Sequence, residues 1–297
     1  MKTVIAISGP TGVGKTETAI RLASKFRTEI ISCDSRQFYK EMSIGVARPS
    51  YQELASCVHH FIGCISIHDR YTAGQFSQEA RLKIADLMQV HDTVVVVGGS
   101  MLHMDALLYG IDDLPGDVDI KNLLQQELES NGLAHLLQEL EEKDPNYFAN
   151  VDKQNARRIM RALEVIRITQ QPFSSLRTGS TEQLPYNIIH VFLNGSREWV
   201  YDRINQRVHL MMSLGLLDEV KTLLPYKDLQ ALNTVGYKEV FEFLEGKISE
   251  EECVVQIQQH SRQYAKRQMT WYRNKSHVKE IDVQKEDPIS VIQFLIS

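Results

Sequence analysis

Eight residues near the start of the chain, Gly9, Pro10, Thr11, Gly12, Val13, Gly14, Lys15 and Thr16, match GxxxxGK[ST] and lie between a β-branched apolar run and a helically patterned segment. That context makes a polyphosphate site: the glycines let backbone amides approach phosphate oxygens, the following helix offers its positive N-terminus, Lys15 brings a mobile charge and Thr16 can ligate magnesium. The loop specifies a diphosphate or triphosphate, not a reaction. A kinase-type site also wants an acid closing a later apolar strand, but Val94–Val97 is followed by Gly98-Gly99-Ser100. The acid at a strand end is Asp34, within the polar cluster Ser35, Arg36, Gln37 and Tyr39. By spacing alone Asp34 could ligate magnesium, act as a general base or cap a helix.

Two basic stretches offer a different chemistry. Lys153, Arg157, Arg158, Arg161, Arg167 and Arg177 face Glu164 alone, and Arg262, Lys266, Arg267, Arg273, Lys275 and Lys279 have no acid among them. The formal net charge of −5 excludes a protein that coats nucleic acid indiscriminately, so an RNA site here must be local. Tyr264, Trp271 and Tyr272 interleave with the second stretch and could stack on unpaired bases, against the plainer reading of a solvated helix face. His59 and His60 read individually as packing histidines. Cys33, Cys57, Cys64 and Cys253 have neither CxxC spacing nor paired histidines, and read as free thiols.

The elements that must position these groups follow from periodicity. Residues 3–8, 29–32, 93–97 and 187–193 read as buried strands; 17–26 and 73–90 read as helices, the latter a crossover. Between 117 and 176 the pattern is helical, with Leu123, Leu124, Leu128, Leu133, Leu136, Leu137 and Leu140 as an apolar stripe. Further helices are expected near 197–212, 214–224, 234–245 and 249–273. The fold class is α/β: a phosphate-loop core with a parallel sheet flanked by helices, plus an all-helical insertion. The expected division is 1–115 and 186–297 for the core and 116–185 for the insertion. No apolar run is long enough to span a bilayer, so a cytoplasmic protein is expected, and without a heptad seam or long apolar edge, a monomer.

Beyond the phosphate loop, several segments resemble the tRNA dimethylallyltransferase (tRNA isopentenyltransferase) family. Ile31 to Tyr39 resembles its IS-x-DS-x-Q-x-Y segment, Gly45 to Pro49 its GTAKP, and Val97 to Leu102 its VGGTxLY. Arg158 to Glu164 resembles RxxRALE, Val235 to Glu239 IGYKE, and Arg262 to Arg273 TRxYAKRQxTWFR. Val46, Arg48, Ser100 and His103 depart from the usual Thr, Lys, Thr and Tyr, and Asp152 to Asn155 replaces an HPND-like turn.

The resemblance implies transfer of a dimethylallyl group from its diphosphate to the exocyclic amine of the adenosine 3′ of the anticodon, with Mg2+ as cofactor and the anticodon stem-loop as RNA partner. It implies diphosphate binding by residues 9–16, with Lys15, Thr16 and Arg207 acting on the leaving group and Asp34 on the amine. It further implies tRNA contacts from Asp34, Ser35, Arg36, Gln37, Ser100, Arg157, Arg158, Arg161, Gly236, Tyr237, Lys266, Arg267, Gln268, Trp271 and Arg273, with the target base flipped into a channel.

Overall fold

The computed structural model describes residues 1–112, 114–177 and 182–296. The chain forms two units, Met1–Leu108 with Leu184–Ser297, and Tyr109–Gln183.

In the first unit six strands form one parallel sheet in the order β3-β2-β4-β1-β5-β6. These are β1 (Thr3–Ser8), β2 (Ile30–Ser32), β3 (His59–His60), β4 (Thr93–Val97), β5 (Asn187–Asn194) and β6 (Val278–Asp282). β1 and β4 are buried along their whole length, which is why TVIAIS and TVVVV lack the alternation of a half-exposed strand. Helices α1 (Lys15–Phe26), α2 (Tyr51–Ser56) and α3 (Ala73–Val90) join the first four strands, and α4 (Met101–Tyr109) follows β4. Ile5, Ile7, Leu22, Ile30, Val95, Val97, Val191 and Leu193 form the core beneath α1, each burial worth roughly 1.5–3 kcal/mol. β1 lies between β4, which precedes the helical unit, and β5, which follows it. The loops after β1, β2 and β4 therefore meet at the carboxyl edge of the sheet, where open α/β sheets bind ligands.

The second unit holds α5 (Val118–Lys143), α6 (Pro145–Asn150), α7 (Ala156–Thr169) and α8 (Phe173–Leu176). α5 is bent where Gly132 adopts φ 77°. The expected leucine stripe is accordingly interrupted: Leu124, Leu136 and Leu140 are fully buried with Leu163 and Ile166 of α7, whereas Leu123 is 49% exposed.

Back in the first unit come α9 (Arg197–Ser213), α10 (Leu216–Thr222), α11 (Tyr237–Leu244), α12 (Glu250–Arg273) and α13 (Pro288–Ile296). α10 and α11 start later than periodicity suggests because Gly215 and Gly236 hold φ at 97° and 94°, a region that side chains resist. α12 is bounded as its chemistry dictates: Ser249 and Glu252 form a reciprocal cap, three glutamates occupy the first turn and Arg273 the last. β3, β6, α2, α4 and α13 had no counterpart in the periodicity reading. β6 begins at Val278, so Lys279 belongs to the sheet rather than to the basic helix face.

Candidate active site

The phosphate loop turns out of β1 directly into α1. Gly12 and Gly14 take φ of 82° and 93°, and a Cβ at Gly9 would lie 2.5 Å from the Leu193 carbonyl oxygen at the end of β5. The Lys15 ammonium donates to the carbonyls of Gly9 (2.9 Å) and Pro10 (2.8 Å). Burial brings its pKa down to about 8, with Arg207 adding to the shift and Asp34 opposing it. Arg203 of α9 donates Nε to the Gly12 carbonyl and lies over the Trp199 ring, a loop support that the sequence reading missed.

Arg207, one helical turn on from Arg203, donates to the Ala47 carbonyl at 3.4 Å, while its buried Nε has no partner. Burial lowers its pKa, opposed by the charges of Asp34 and Glu53. Lys15, Asp34 and Arg207 therefore share one electrostatic neighbourhood. A cleft is lined by Lys15, Thr16, Ser32, Asp34, Gln37, Pro49, His59, Ile62, Val97 and Gly98.

Asp34 closes an Asx turn after β2, its Oδ1 accepting from Arg36 N at 3.1 Å. Its second oxygen lies 3.6 Å from where a Cβ at Gly99 would stand, and a Cβ at Gly98 would fall 1.9 Å from the Cys33 carbonyl. The diglycine is there because the ends of β2 and β4 nearly touch. Ser100, 7% exposed, accepts from Ser35 N (2.8 Å) and donates to Ser35 Oγ (2.9 Å). Gln37 donates to the carbonyls of Ala47 (3.0 Å) and Val46 (3.3 Å).

Several residues expected on RNA make bonds within the fold. Tyr237 is fully buried and donates to Glu219 Oε1 at 2.6 Å. That carboxylate also receives the amides of Ser43, Ile44 and Gly45. Gly236 shapes the entry to α11, its amide donating to Glu239 Oε2 at 2.7 Å. Gln268 is 2% exposed. Arg36 donates to the carbonyls of Ala231 (2.9 Å) and Asn233 (3.4 Å). Trp271 Nε1 donates to Asp105 at 2.9 Å, a carboxylate shared with Lys275. Tyr272 is buried, accepting from Ser8 at 3.0 Å and stacking on Phe192, and Tyr264 donates to the Gly99 carbonyl at 3.1 Å. Arg161 serves Leu114, Pro115 and Glu164 within its own unit, and Arg167 clamps Glu127 and Glu139. A basic count cannot separate guanidinium groups consumed by buried carboxylates from those turned to solvent. Lys266, Arg267 and Arg273 on α12 and Arg157 and Arg158 on α7 are exposed. The four cysteines are free thiols, and among the described residues no helix is long and apolar enough to cross a membrane.

A family model described as IPP transferase matches residues 37–275. tRNA dimethylallyltransferase 1 of Bacteroides thetaiotaomicron is 42% identical to the chain, over 97% of the chain and 94% of that protein. tRNA dimethylallyltransferase of Christiangramia forsetii is 44% identical over 99% and 98%. A solved eukaryotic dimethylallyltransferase acting on tRNA aligns with a TM-score of 0.81 at 26% identity, covering 99% of this chain and 78% of that one.

Proposed function

The chain belongs to the IPP transferase family, and from that membership we propose that it transfers a dimethylallyl group from dimethylallyl diphosphate to the N6 amine of adenosine 37 of tRNA, 3′ of the anticodon. In this reaction a bond forms between N6 and the terminal carbon of the donor, the carbon–oxygen bond to diphosphate breaks, and the amine loses one proton. N6-(dimethylallyl)adenosine and diphosphate are the products.

The observation that carries the site assignment is that Lys15, Thr16 and Asp34 line one cleft. Charge grows on the diphosphate as the carbon–oxygen bond lengthens. Donors on that side, the amides of the phosphate loop, the Lys15 ammonium and the Arg207 guanidinium, stabilise it more in the transition state than in the ground state. The buried, unpartnered Arg207 Nε is suited to an oxygen of this kind. On the other side, an adenine amine is a weak nucleophile because its lone pair is shared with the ring. Asp34, free on its cleft side to accept, takes the proton as the new bond forms.

Magnesium fits the donor set. Thr16 and Asp34 offer hard oxygen, and no group of three His, Cys, Asp or Glu able to hold a metal occurs among the described residues. An ion here would be held by the Thr16 hydroxyl and otherwise by diphosphate and water, as magnesium is in phosphate sites. When bound it supplies neutralisation of the leaving group.

Exposed Arg157, Arg158, Lys266, Arg267 and Arg273 serve phosphates of the anticodon stem-loop, while Ser35 and Gln37 stand beside Asp34 for the base edge. The enzyme works as a monomer in the cytoplasm. Labelled dimethylallyl diphosphate, magnesium and an unmodified anticodon stem-loop test the reading: label enters RNA with the wild type and not with Asp34→Ala. Wild-type protein that labels no RNA overturns it.

A further inference from the structure

Residues 43–48 belong to no helix or strand, yet they lead directly into Pro49, which lines the reaction cleft. Such a segment must be fixed from outside, and one carboxylate on α10 does so. Glu219 Oε2 accepts from the amides of Ser43 (3.1 Å) and Ile44 (2.8 Å), and Oε1 from the amide of Gly45 (3.1 Å) and the Tyr237 hydroxyl (2.6 Å). Four donors thus fill the acceptor sites of a single carboxylate. Burial first, and the facing carboxylate second, raise the Tyr237 pKa, so the proton stays on the phenol. The same ring occupies the space beside Gly45, where a Cβ would lie 2.5 Å from Tyr237 Cε2.

What Glu219 holds by the amides is passed on through the carbonyls. The Ile44 carbonyl accepts from Ala47 N at 2.9 Å and the Ser43 carbonyl from Arg48 N at 3.0 Å. These bonds close a turn in which Ala47 has φ of 47°, a left-handed value that a Cβ disfavours. A residue so strained persists only where its surroundings over-determine it. The turn aims the Ala47 carbonyl at two side chains of the site: Gln37 Nε2 donates to it at 3.0 Å and Arg207 Nη2 at 3.4 Å. Among the described residues that carbonyl is the one hydrogen-bond acceptor Arg207 has, its Nε being buried and unpartnered.

We infer that Glu219 is a positioning residue for the transfer reaction: it fixes the turn, the turn fixes the Ala47 carbonyl, and this carbonyl sets the Arg207 guanidinium that meets the diphosphate. The inference rests on the role proposed above for Arg207. Glu219 is not among the residues lining the cleft, so it acts only through the turn. A guanidinium released from its anchor must be ordered by the ligand when it binds, and affinity falls accordingly.

The probe is binding of inorganic diphosphate, with magnesium present, measured by calorimetry for the wild type, Glu219→Gln, Arg207→Met and the double variant. Glutamine keeps the shape of glutamate but turns an NH2 group towards donors. Glu219→Gln weakens binding about 10-fold and Arg207→Met at least as much, whereas the double variant binds within about 2-fold of Arg207→Met, because both changes remove one effect. A carboxylate that merely supports the fold would weaken binding equally in both backgrounds. That result overturns the inference, as does unchanged binding by Glu219→Gln. If the glutamine variant does not fold, Glu219→Asp, whose carboxylate stands one methylene short of the amides, must show the same dependence on Arg207. Binding by Arg207→Met that matches the wild type refutes the diphosphate role of Arg207 and the inference with it. Wild-type protein that binds diphosphate yet labels no RNA refutes the transferase reading and leaves the Glu219 result standing.

Discussion

Gln268 Nε2 donates to the carbonyl oxygen of Gly99 at 2.8 Å. The same amide reaches the carbonyl of Gly9 at 3.3 Å. One buried side chain on α12 thus ties together the two loops, after β1 and β4, that border the reaction cleft. In Gln268→Leu the Gly9 carbonyl keeps Lys15 and the Gly99 carbonyl keeps Tyr264 as donors, so the loss is that of the glutamine's own bonds, about 0.5–1.5 kcal/mol. Urea unfolding should report that loss, and the KM for dimethylallyl diphosphate should rise, because the phosphate loop loses its rear support. Unchanged stability would mean that Lys15 and Tyr264 satisfy the two carbonyls by themselves.

Asp34→Asn separates architecture from chemistry. Asparagine keeps an oxygen for the Asx turn onto Arg36 N but cannot take a proton. Single-turnover transfer should slow by about 10²–10⁴-fold, with RNA affinity within a factor of two or so. A variant as fast as wild type would remove Asp34 from proton transfer.

Lys15 gives a pH signature. Its pKa falls from 10.5 to about 8 on folding, so between those values the unfolded chain holds the proton and the folded chain does not. Stability of the ligand-free protein should therefore rise with pH through this window, and Lys15→Met should lack that increment. Diphosphate favours the charged amine, so binding near pH 9 should take up protons. Calorimetry in buffers of different ionisation enthalpy measures this uptake, and zero uptake would contradict the assignment.

The arginines of α7 should divide by role. Arg167→Ala leaves Glu127 and Glu139 without their shared cation and should destabilise the helical unit by about 1–3 kcal/mol, these groups being partly exposed. Arg157→Ala and Arg158→Ala should leave unfolding unchanged, weaken RNA binding at low salt and reduce the slope of log affinity against log salt by about 0.7–0.9 for each phosphate no longer neutralised. Equal effects on both properties from all three would refute the division.

What the sequence by itself determined is local. The phosphate loop is legible because its chemistry demands particular residues at fixed spacing between a strand and a helix. The strands β1 and β4 are legible because burial on both faces leaves unbroken apolar runs. Helix limits were readable where a side chain caps them, as Ser249 does, and misread where Gly215 and Gly236 reset the backbone. Tertiary structure decided the rest. It spent Arg36, Arg161, Arg167, Gln268 and Tyr237 on internal carbonyls and carboxylates, and it brought Arg207 to Lys15 and Asp34 from far along the chain. It also placed β6 and the two-residue β3 at the sheet edges, where His59 turns an unpaired nitrogen into the cleft. Residue type states which bonds a side chain can make; only the packing of distant segments decides whether the fold has already used them.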